Sequence, residues 1–456
     1  MNFVPHPYQY EAIKFLLTRP HAGLLLPVGL GKTSVALAAT MILRQRRYVS
    51  RTLIVAPIRA CYSVWPAEIA KWDQFSKNLV VANLHEKFTA TGDVELVNPH
   101  RLDRVLMSYP GRYDHLIIDE SSDFKNSQTK RFKNLRHALH RFKRRWILTG
   151  SPAPNGLTDI WAQAFVLDRG AALGQYITHF RNRYCYADDY YGSFRRWKIR
   201  PGADKEIYEK LRELMFRVDP KDAGLKLPEL IHNRITVRLD AQARKLYDEM
   251  EREFFIIVRG QGIESVHAAA MGNKLRQIAN GAVYDAEHKA HPIHSEKLNA
   301  LGELIDEQQK APLLVFYEFK HDAAAIQKAY GPLPNLTEHH DTDRLIEKWN
   351  KGEVPVMLAH PASAGKALNL QGSCSAVCFY GLPWALDYYE QGIGRVLRQG
   401  NTAPTVVVHH IIAENTMDDT VLAALNSKST TQAELNAALT RKVSGVTAAR
   451  EEVAVP

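Results

Sequence analysis

LLLPVGLGKTSVALAAT, residues 24–40, passes from an apolar run through a glycine turn into a segment of helical period. Gly29 and Gly31 permit a tight turn and close backbone approach to an anion, and Lys32 and Thr33 open the helix behind them. A helix N-terminus carries unpaired amides and the positive end of the peptide dipole. In this setting the loop would cradle nucleotide phosphates, with Lys32 on the β- and γ-phosphates and the Thr33 hydroxyl on Mg²⁺. The full phosphate-loop pattern asks for glycine at position 26, where this chain has Leu26. The bland alternative is a glycine turn whose helix happens to start Lys-Thr. GxGK[ST] arises by chance in roughly one chain in a hundred of this length, and its place after an apolar strand argues further for the nucleotide.

The second stretch, HLIIDESSDFKN (115–126), delivers Asp119 and Glu120 to the end of an apolar strand. Alone, it reads best as a solvated acidic strand end. In one sheet with the loop it divides the labour of hydrolysis: Asp119 holds the metal and Glu120 orients and deprotonates water. Short β-branched runs at 23–28, 52–57, 103–108, 115–119 and 145–150 alternate with helical stretches at 32–46, 60–72 and 129–140, the pattern of a parallel α/β sheet. From 157 to 300 the chain reads as mostly helical, interrupted by YCYADDYYGSFRRWKIRPG (184–202). That segment interleaves aromatics and bases, a composition suited to stacking bases or to a hairpin packed on its own lobe. Strands return at 312–319, 354–360, 375–381 and 404–413. The expected fold is α/β: two parallel-sheet units (1–156 and 295–426), a helical insert (157–224), a linker with a helical protrusion (225–294) and a polar Ala-rich tail (427–456).

Composition narrows the partners. The chain has 456 residues, 59 Lys and Arg against 49 Asp and Glu, net charge +10 and pI near 9.2. That favours an anionic partner, with nucleic acid ahead of membrane. Cys61, Cys185, Cys374 and Cys378 are too sparse for a zinc site of paired cysteines and suit reduced structural thiols. No apolar run approaches the ~18 residues of a membrane span, and MNFVPHPYQY has neither the charge nor the apolar stretch of a signal peptide. A soluble, cytoplasmic monomer is expected.

YYEQGIGRVLRQGN (388–401) places Arg395 and Arg398 one helical turn apart, with Gln391 a turn earlier. Guanidinium donors suit the charge that develops on a transferring γ-phosphate, and such an arginine can come from another domain. A surface salt-bridge helix is the alternative, but Glu390 is the nearest acid.

In this order the segments resemble a superfamily-two helicase, specifically the Swi/Snf-type DNA translocases, over roughly residues 5–425. HPYQYEAIKFL resembles the Q-motif, which makes Gln9 the adenine reader; GLGKT resembles motif I, and TLIVAPIRACYSVWPAEIAKW motif Ia. VLMSYP resembles the neighbouring DNA-contacting segment, DESSDFKNSQTKRFKNL motif II with its basic helix, and RWILTGSPAPNGLTDIW motif III. LKLPELIHNRITVRLDAQARKLYDEM (225–250) resembles the crossing between lobes and HSEKLNALGELI (294–305) the start of the second; SAGKALNLQ (363–371) resembles motif V, QGIGRVLRQGN motif VI and ENTMDDTVL the closing helix.

The resemblance implies two RecA-like lobes, ATP and Mg²⁺ as cofactors, and DNA, mainly duplex, lying across both lobes. It makes Lys32, Asp119, Glu120, Arg395 and Arg398 catalytic, and Gln9, Gly29, Gly31, Thr33 and Gln391 nucleotide-binding. It assigns Pro57, Arg59, Ser108, Tyr109, Ser363 and Asn369 to DNA phosphates, and Thr149, Gly150 and Ser151 to coupling. Two departures stand out. Motif II ends Ser121-Ser122 where the family often has Ala-His, and motif V has Ala364 and Ala367 in place of usual glycines. They keep alive an ATP-gated DNA clamp that does not move. A metal-dependent nuclease built on Glu318-x-Lys320 is the weaker rival, and a metabolic kinase has no use for a second arginine-bearing unit.

Overall fold

The computed structural model describes residues 1–26, 29–85, 87–150, 157–191, 194–218, 227–259, 265–364, 370–372, 374–398 and 400–426. Two compact units divide the chain, the first built mainly from residues 1–226 and the second mainly from 227 onward.

The first unit is organised by a seven-stranded sheet. Its strands are β1 (His21–Leu25), β2 (Thr52–Val55), β3 (Val81–Asn83), β4 (Val94–Val97), β5 (His115–Asp119), β6 (Arg144–Thr149) and, after a β7–β8 hairpin (Cys185–Tyr191 and Phe194–Ile199), β9 (Met215–Arg217). The order is β3-β4-β2-β5-β6-β1-β9, and every pairing is parallel. Parallel strands need helical crossovers that cover both faces, so the strands carry unbroken apolar runs. Alternate residues then feed two cores. Ile54, Leu96, Ile117 and Leu148 face one side, and Leu53, Val55, Val97, Leu116 and Ile118 face the other.

The second unit holds a five-stranded, all-parallel sheet of order β10-β16-β15-β13-β14. Its strands are β10 (Glu229–Val237), β13 (Leu313–Phe316), β14 (Val356–Ala359), β15 (Ala376–Phe379) and β16 (Thr405–Ala413), with a small antiparallel pair, β11 (Ala282–Tyr284) and β12 (Ala290–Pro292), beside it. At Gly392 in the Leu386–Val396 helix a Cβ would stand 3.0 Å from the Phe316 ring, so a larger residue would press that ring aside by a few tenths of an ångström.

The α/β class with two parallel sheets is as expected, and three local readings change. The run 103–108 is not a strand: Leu102–Ser108 is a helix, and the strand is β4, eight residues earlier. The stretch 157–300, expected to be mostly helical apart from 184–202, also contains β9 and the nine-residue β10, while 184–202 holds the β7–β8 hairpin, one of the two forms expected of it. The helices and strand of residues 160–217 pack with the first sheet, where Phe165, Phe180, Ile207 and Leu211 join one of its cores.

Candidate nucleotide site

In a parallel sheet the strand ends and the helix starts that follow them gather on one edge, where ligands of open α/β folds sit. In the first unit that edge collects the glycine loop after β1, Pro57 and Arg59 after β2, Asp119 and Glu120 at β5, and Thr149 and Gly150 at β6. Asp119 and the loop are separated by one strand, β6.

The loop is shaped by left-handed backbone. Gly29 has φ 90° and Gly31 φ 71°, and a Cβ on Gly31 would stand 2.5 Å from the Gln9 amide nitrogen. Gln9, buried in the Pro7–Thr18 helix, donates to the Leu30 carbonyl at 3.3 Å and accepts from the His6 amide at 3.0 Å. The Tyr8 hydroxyl donates to the same Leu30 carbonyl at 3.2 Å, and burial lifts its pKa to about 12. Gln9, the expected adenine reader, is thus bonded directly to the backbone of the glycine loop. Lys32 donates to the Leu26 carbonyl at 2.7 Å, holding its ammonium across the loop it follows. Thr33 sits in the first turn of the Lys32–Gln45 helix.

Asp119 accepts from the Trp65 indole N–H at 3.0 Å through Oδ2 and from the Glu120 amide at 3.1 Å through Oδ1. Burial, with the Glu120 charge adding to it, raises its pKa to about 6, against the opposing pull of the Trp65 bond and the Lys32 charge. Glu120 has φ 52° and ψ 59°, left-handed backbone that a non-glycine residue adopts at a cost of about 1–3 kcal/mol. It caps the short 3₁₀ turn Ser121–Phe124, which turns the chain sharply after β5. Such strain persists where surrounding structure fixes it, and functional sites are where it gathers.

Trp65 was not singled out from sequence. It follows a π-helical turn, Ala60–Val64, and is fully buried. A buried indole N–H needs an acceptor, and here it has the motif II carboxylate. The same helix brings Glu68 against the phosphate-loop helix, where it accepts from the Ser34 hydroxyl and, at 2.7 Å, from Trp72. Gln163 was missed too. It is the one amide in the apolar segment IWAQAFVLD, fully buried, and its Oε1 accepts from the Ser121 hydroxyl at 2.6 Å. Ser121, where the family often has Ala, is thus tied to the Ile160–Asp168 helix.

The expected DNA-contact residues divide. Pro57 and Arg59 lie on the nucleotide edge, and Arg59 keeps a buried Nη1 with no hydrogen-bond partner among the described residues. Ser108 and Tyr109 end a helix that has run back toward the opposite edge, where the Tyr109 hydroxyl donates to the Phe88 carbonyl at 2.9 Å. Asn98, His100 and Arg101 follow β4 in their place. Ser151, Asn369 and Ala367 lie outside the described residues.

In the second unit Gln391 and Arg395 lie on the Leu386–Val396 helix, Arg395 buried in its last turn. Arg398 lies beyond the C-cap, Leu397, so the two arginines do not share a helix face as expected. Asn401 ties this end down, donating to the carbonyls of Val396 at 3.0 Å and Cys374 at 2.9 Å. Ser363 lies in the short Pro361–Ala364 helix after β14, its amide donating to the His360 carbonyl at 2.9 Å. The nuclease reading loses its strand: β13 ends at Phe316, Lys320 opens a helix, and the Glu318 carboxylate is 2.9 Å from Arg276.

The chain is similar to known proteins over most of its length. The family described as SNF2-related domain matches residues 8–284, and the helicase conserved C-terminal domain matches 296–400. Protein p41 of Acyrthosiphon pisum secondary endosymbiont phage 1 is 33% identical, over 97% of this chain and 100% of its own. YwqA of Bacillus subtilis is 25% identical over 93% of this chain and 48% of its own, so this chain spans about half of that relative. A solved Sulfolobus solfataricus SWI2/SNF2 ATPase core in complex with dsDNA is 21% identical, covering 93% of this chain and 91% of that one at a TM-score of 0.46.

Proposed function

The chain belongs to the SNF2-related family, and on that footing we propose that it is a DNA-stimulated ATPase that moves along duplex DNA. Nucleotide binding and hydrolysis follow from the family. The observation that carries the assignment to residues is the shared edge: a glycine loop ending in Lys32, one strand away from adjacent carboxylates of which the first is buried and the second held on strained backbone.

In this reading Gln9 recognises adenine and passes its presence to the loop through Leu30. Gly29, Gly31 and Lys32 hold the phosphates. Thr33 and Asp119 offer the oxygen donors that Mg²⁺ prefers, and the two hydrogen bonds on Asp119 orient its carboxylate. Bound there, the metal would neutralise charge on the phosphates. Glu120 takes a proton from the attacking water, while Arg395, Arg398 and Gln391 are supplied by the second unit, making hydrolysis depend on domain closure. Thr149, Gly150 and Ser151, with the Ser121–Gln163 bond, relay that closure. Pro57, Arg59, Ser363 and Asn369 hold phosphates of the track. Such contacts are blind to sequence and sensitive to salt. The proposed division into lobes, insert and linker follows the same family pattern.

The test compares ATPase rates of the whole chain with no nucleic acid, single-stranded DNA, duplex DNA and RNA. Duplex DNA is expected to stimulate most, and ATP is expected to drive displacement of a third strand from a triplex. Equal rates in all four would sink the reading. Stimulation without triplex displacement would leave the clamp.

A further inference from the structure

The positive surplus of this chain is not spread over the molecule. The whole sequence has 59 Lys and Arg against 49 Asp and Glu; residues 124–158 hold nine of the bases and no acid, which leaves 50 against 49 elsewhere. This stretch of 35 residues is denser in charge than the longer acid-free run, residues 12–67, which holds eight bases.

Part of that charge serves the fold. Arg145 is buried and donates to the carbonyls of Leu139, Phe142, Val166 and Leu167, and Arg144 donates to those of Leu16, Leu17 and Arg19. Arg136 lies over the Phe165 ring and Arg131 reaches His100. Four bases stand exposed: Lys130 and Lys133 on the Lys130–Ala138 helix, and Arg141 and Lys143 after it. Lys130, Lys133 and His137 fall at i, i+3 and i+7 on its outer face, while Phe132, Leu135 and Ala138 face the core. Among the described residues neither lysine ammonium has a hydrogen bond or an ion pair. The contact of Lys143 with Asp114 is a loose 3.6 Å with the lysine 74% exposed. The Leu102–Ser108 helix, joined to this one by the 2.7 Å Asn134–Asp103 bond, adds exposed Arg101 and Arg104.

Most charge runs are solvated faces. A helix built only for solubility, however, intersperses acids at i+3 and i+4, and like charges at those spacings are unfavourable. Here no acid stands within the 35 residues, and the Lys125–Asp159 and Lys143–Asp114 contacts that meet the charge from outside are loose, at 3.8 and 3.6 Å, which suits a surface neutralised by a polyanion. The face is also the flank of the unit rather than the edge that carries Pro57 and Arg59, because the helix runs from one edge of the sheet to the other.

We propose that this flank is a second nucleic-acid contact, holding backbone phosphates of duplex DNA apart from the track residues named above. It rests on the DNA-directed reading and extends it. A contact outside the lobe edge would stay on the duplex while edge contacts are made and released.

The test uses the full chain and a fluorescently labelled duplex, with binding measured by anisotropy across a KCl series. In the variant Lys130→Ala/Lys133→Ala/Arg141→Ala/Lys143→Ala the slope of log affinity against log salt should shrink by about three to four, at about 0.9 per phosphate lost. The charge-keeping variant Lys130→Arg/Lys133→Arg/Arg141→Lys/Lys143→Arg should retain the wild-type slope, and ATPase at saturating duplex should match wild type in both. A wild-type slope in the alanine variant overturns the proposal. So does equal loss in the charge-keeping variant, or loss of polyglutamate binding with duplex binding intact. If the slope shrinks while wild-type hydrolysis ignores DNA, the motor reading falls and the flank contact stands. If hydrolysis responds to duplex and the slope does not change, the reverse holds.

Discussion

Both sheets are all-parallel, and the matched buried charges of the second contrast with the acid at the nucleotide edge of the first. In the second unit Lys297 has no exposure, lies 2.6 Å from Asp418, and donates to Asn280 and the Tyr380 carbonyl. Arg276 is matched by Glu318 at 2.9 Å and by the Leu382 carbonyl. Each of these two buried charges has an opposite charge and further hydrogen bonds, as burial of ions demands. On the first sheet, burial and then the neighbouring Glu120 charge lift the Asp119 pKa to about 6, against two N–H hydrogen bonds and the Lys32 charge, which pull it down. Matched charges fasten a fold. A buried carboxylate with a raised pKa marks a candidate functional site.

The contrast is broken or sharpened by substitution. Lys32→Ala and Arg395→Lys should each lower kcat by about 10²- to 10³-fold with melting near wild type. Loss in the first without loss in the second would remove the second unit from the chemistry. Lys297→Met should act in the other direction, costing about 3–5 kcal/mol of stability by stranding Asp418; denaturant unfolding measures it, and a change under 1 kcal/mol would show that the pair is not a fastening.

The smallest effect concerns pH. Asp119 must be ionised to hold a metal, so ATPase should fall as pH drops through about 6, the limb moving lower at high Mg²⁺. Trp65→Phe removes a bond that favours the charged form, so the limb should move up, with a rate loss of about tenfold at neutral pH. An unmoved limb in the pH–rate profile would assign it to another group. Stability runs the opposite way. A carboxyl whose folded pKa is raised above the usual 3.8 stabilises the fold most when protonated, and that contribution is lost as pH rises through about 6.

Much of this was legible in the sequence, because the glycine loop, the paired acids and the strand-end positions are local patterns that backbone geometry imposes. What escaped was set by partners distant in the chain. The β10 segment ELIHNRITV carries His, Asn and Arg and is largely exposed, yet pairs with β16 along all nine residues, and backbone pairing leaves no mark on side chains. The run RVLM in the 102–108 helix is too short for its period to separate a helix from a buried strand, which is why 103–108 reads as a strand in the sequence. Trp65 and Gln163 could be suspected only as polar groups within apolar segments; their partners, Asp119 and Ser121, lie 54 and 42 residues away.

The left-handed backbone at Glu120 has an evolutionary edge to it. Glycine would sit there more comfortably than any other residue, so a library sorted for thermal resistance alone should drift toward Glu120→Gly and lose turnover as it hardens. Persistence of the acid under such sorting would mean that neighbours hold the turn regardless of which residue occupies it.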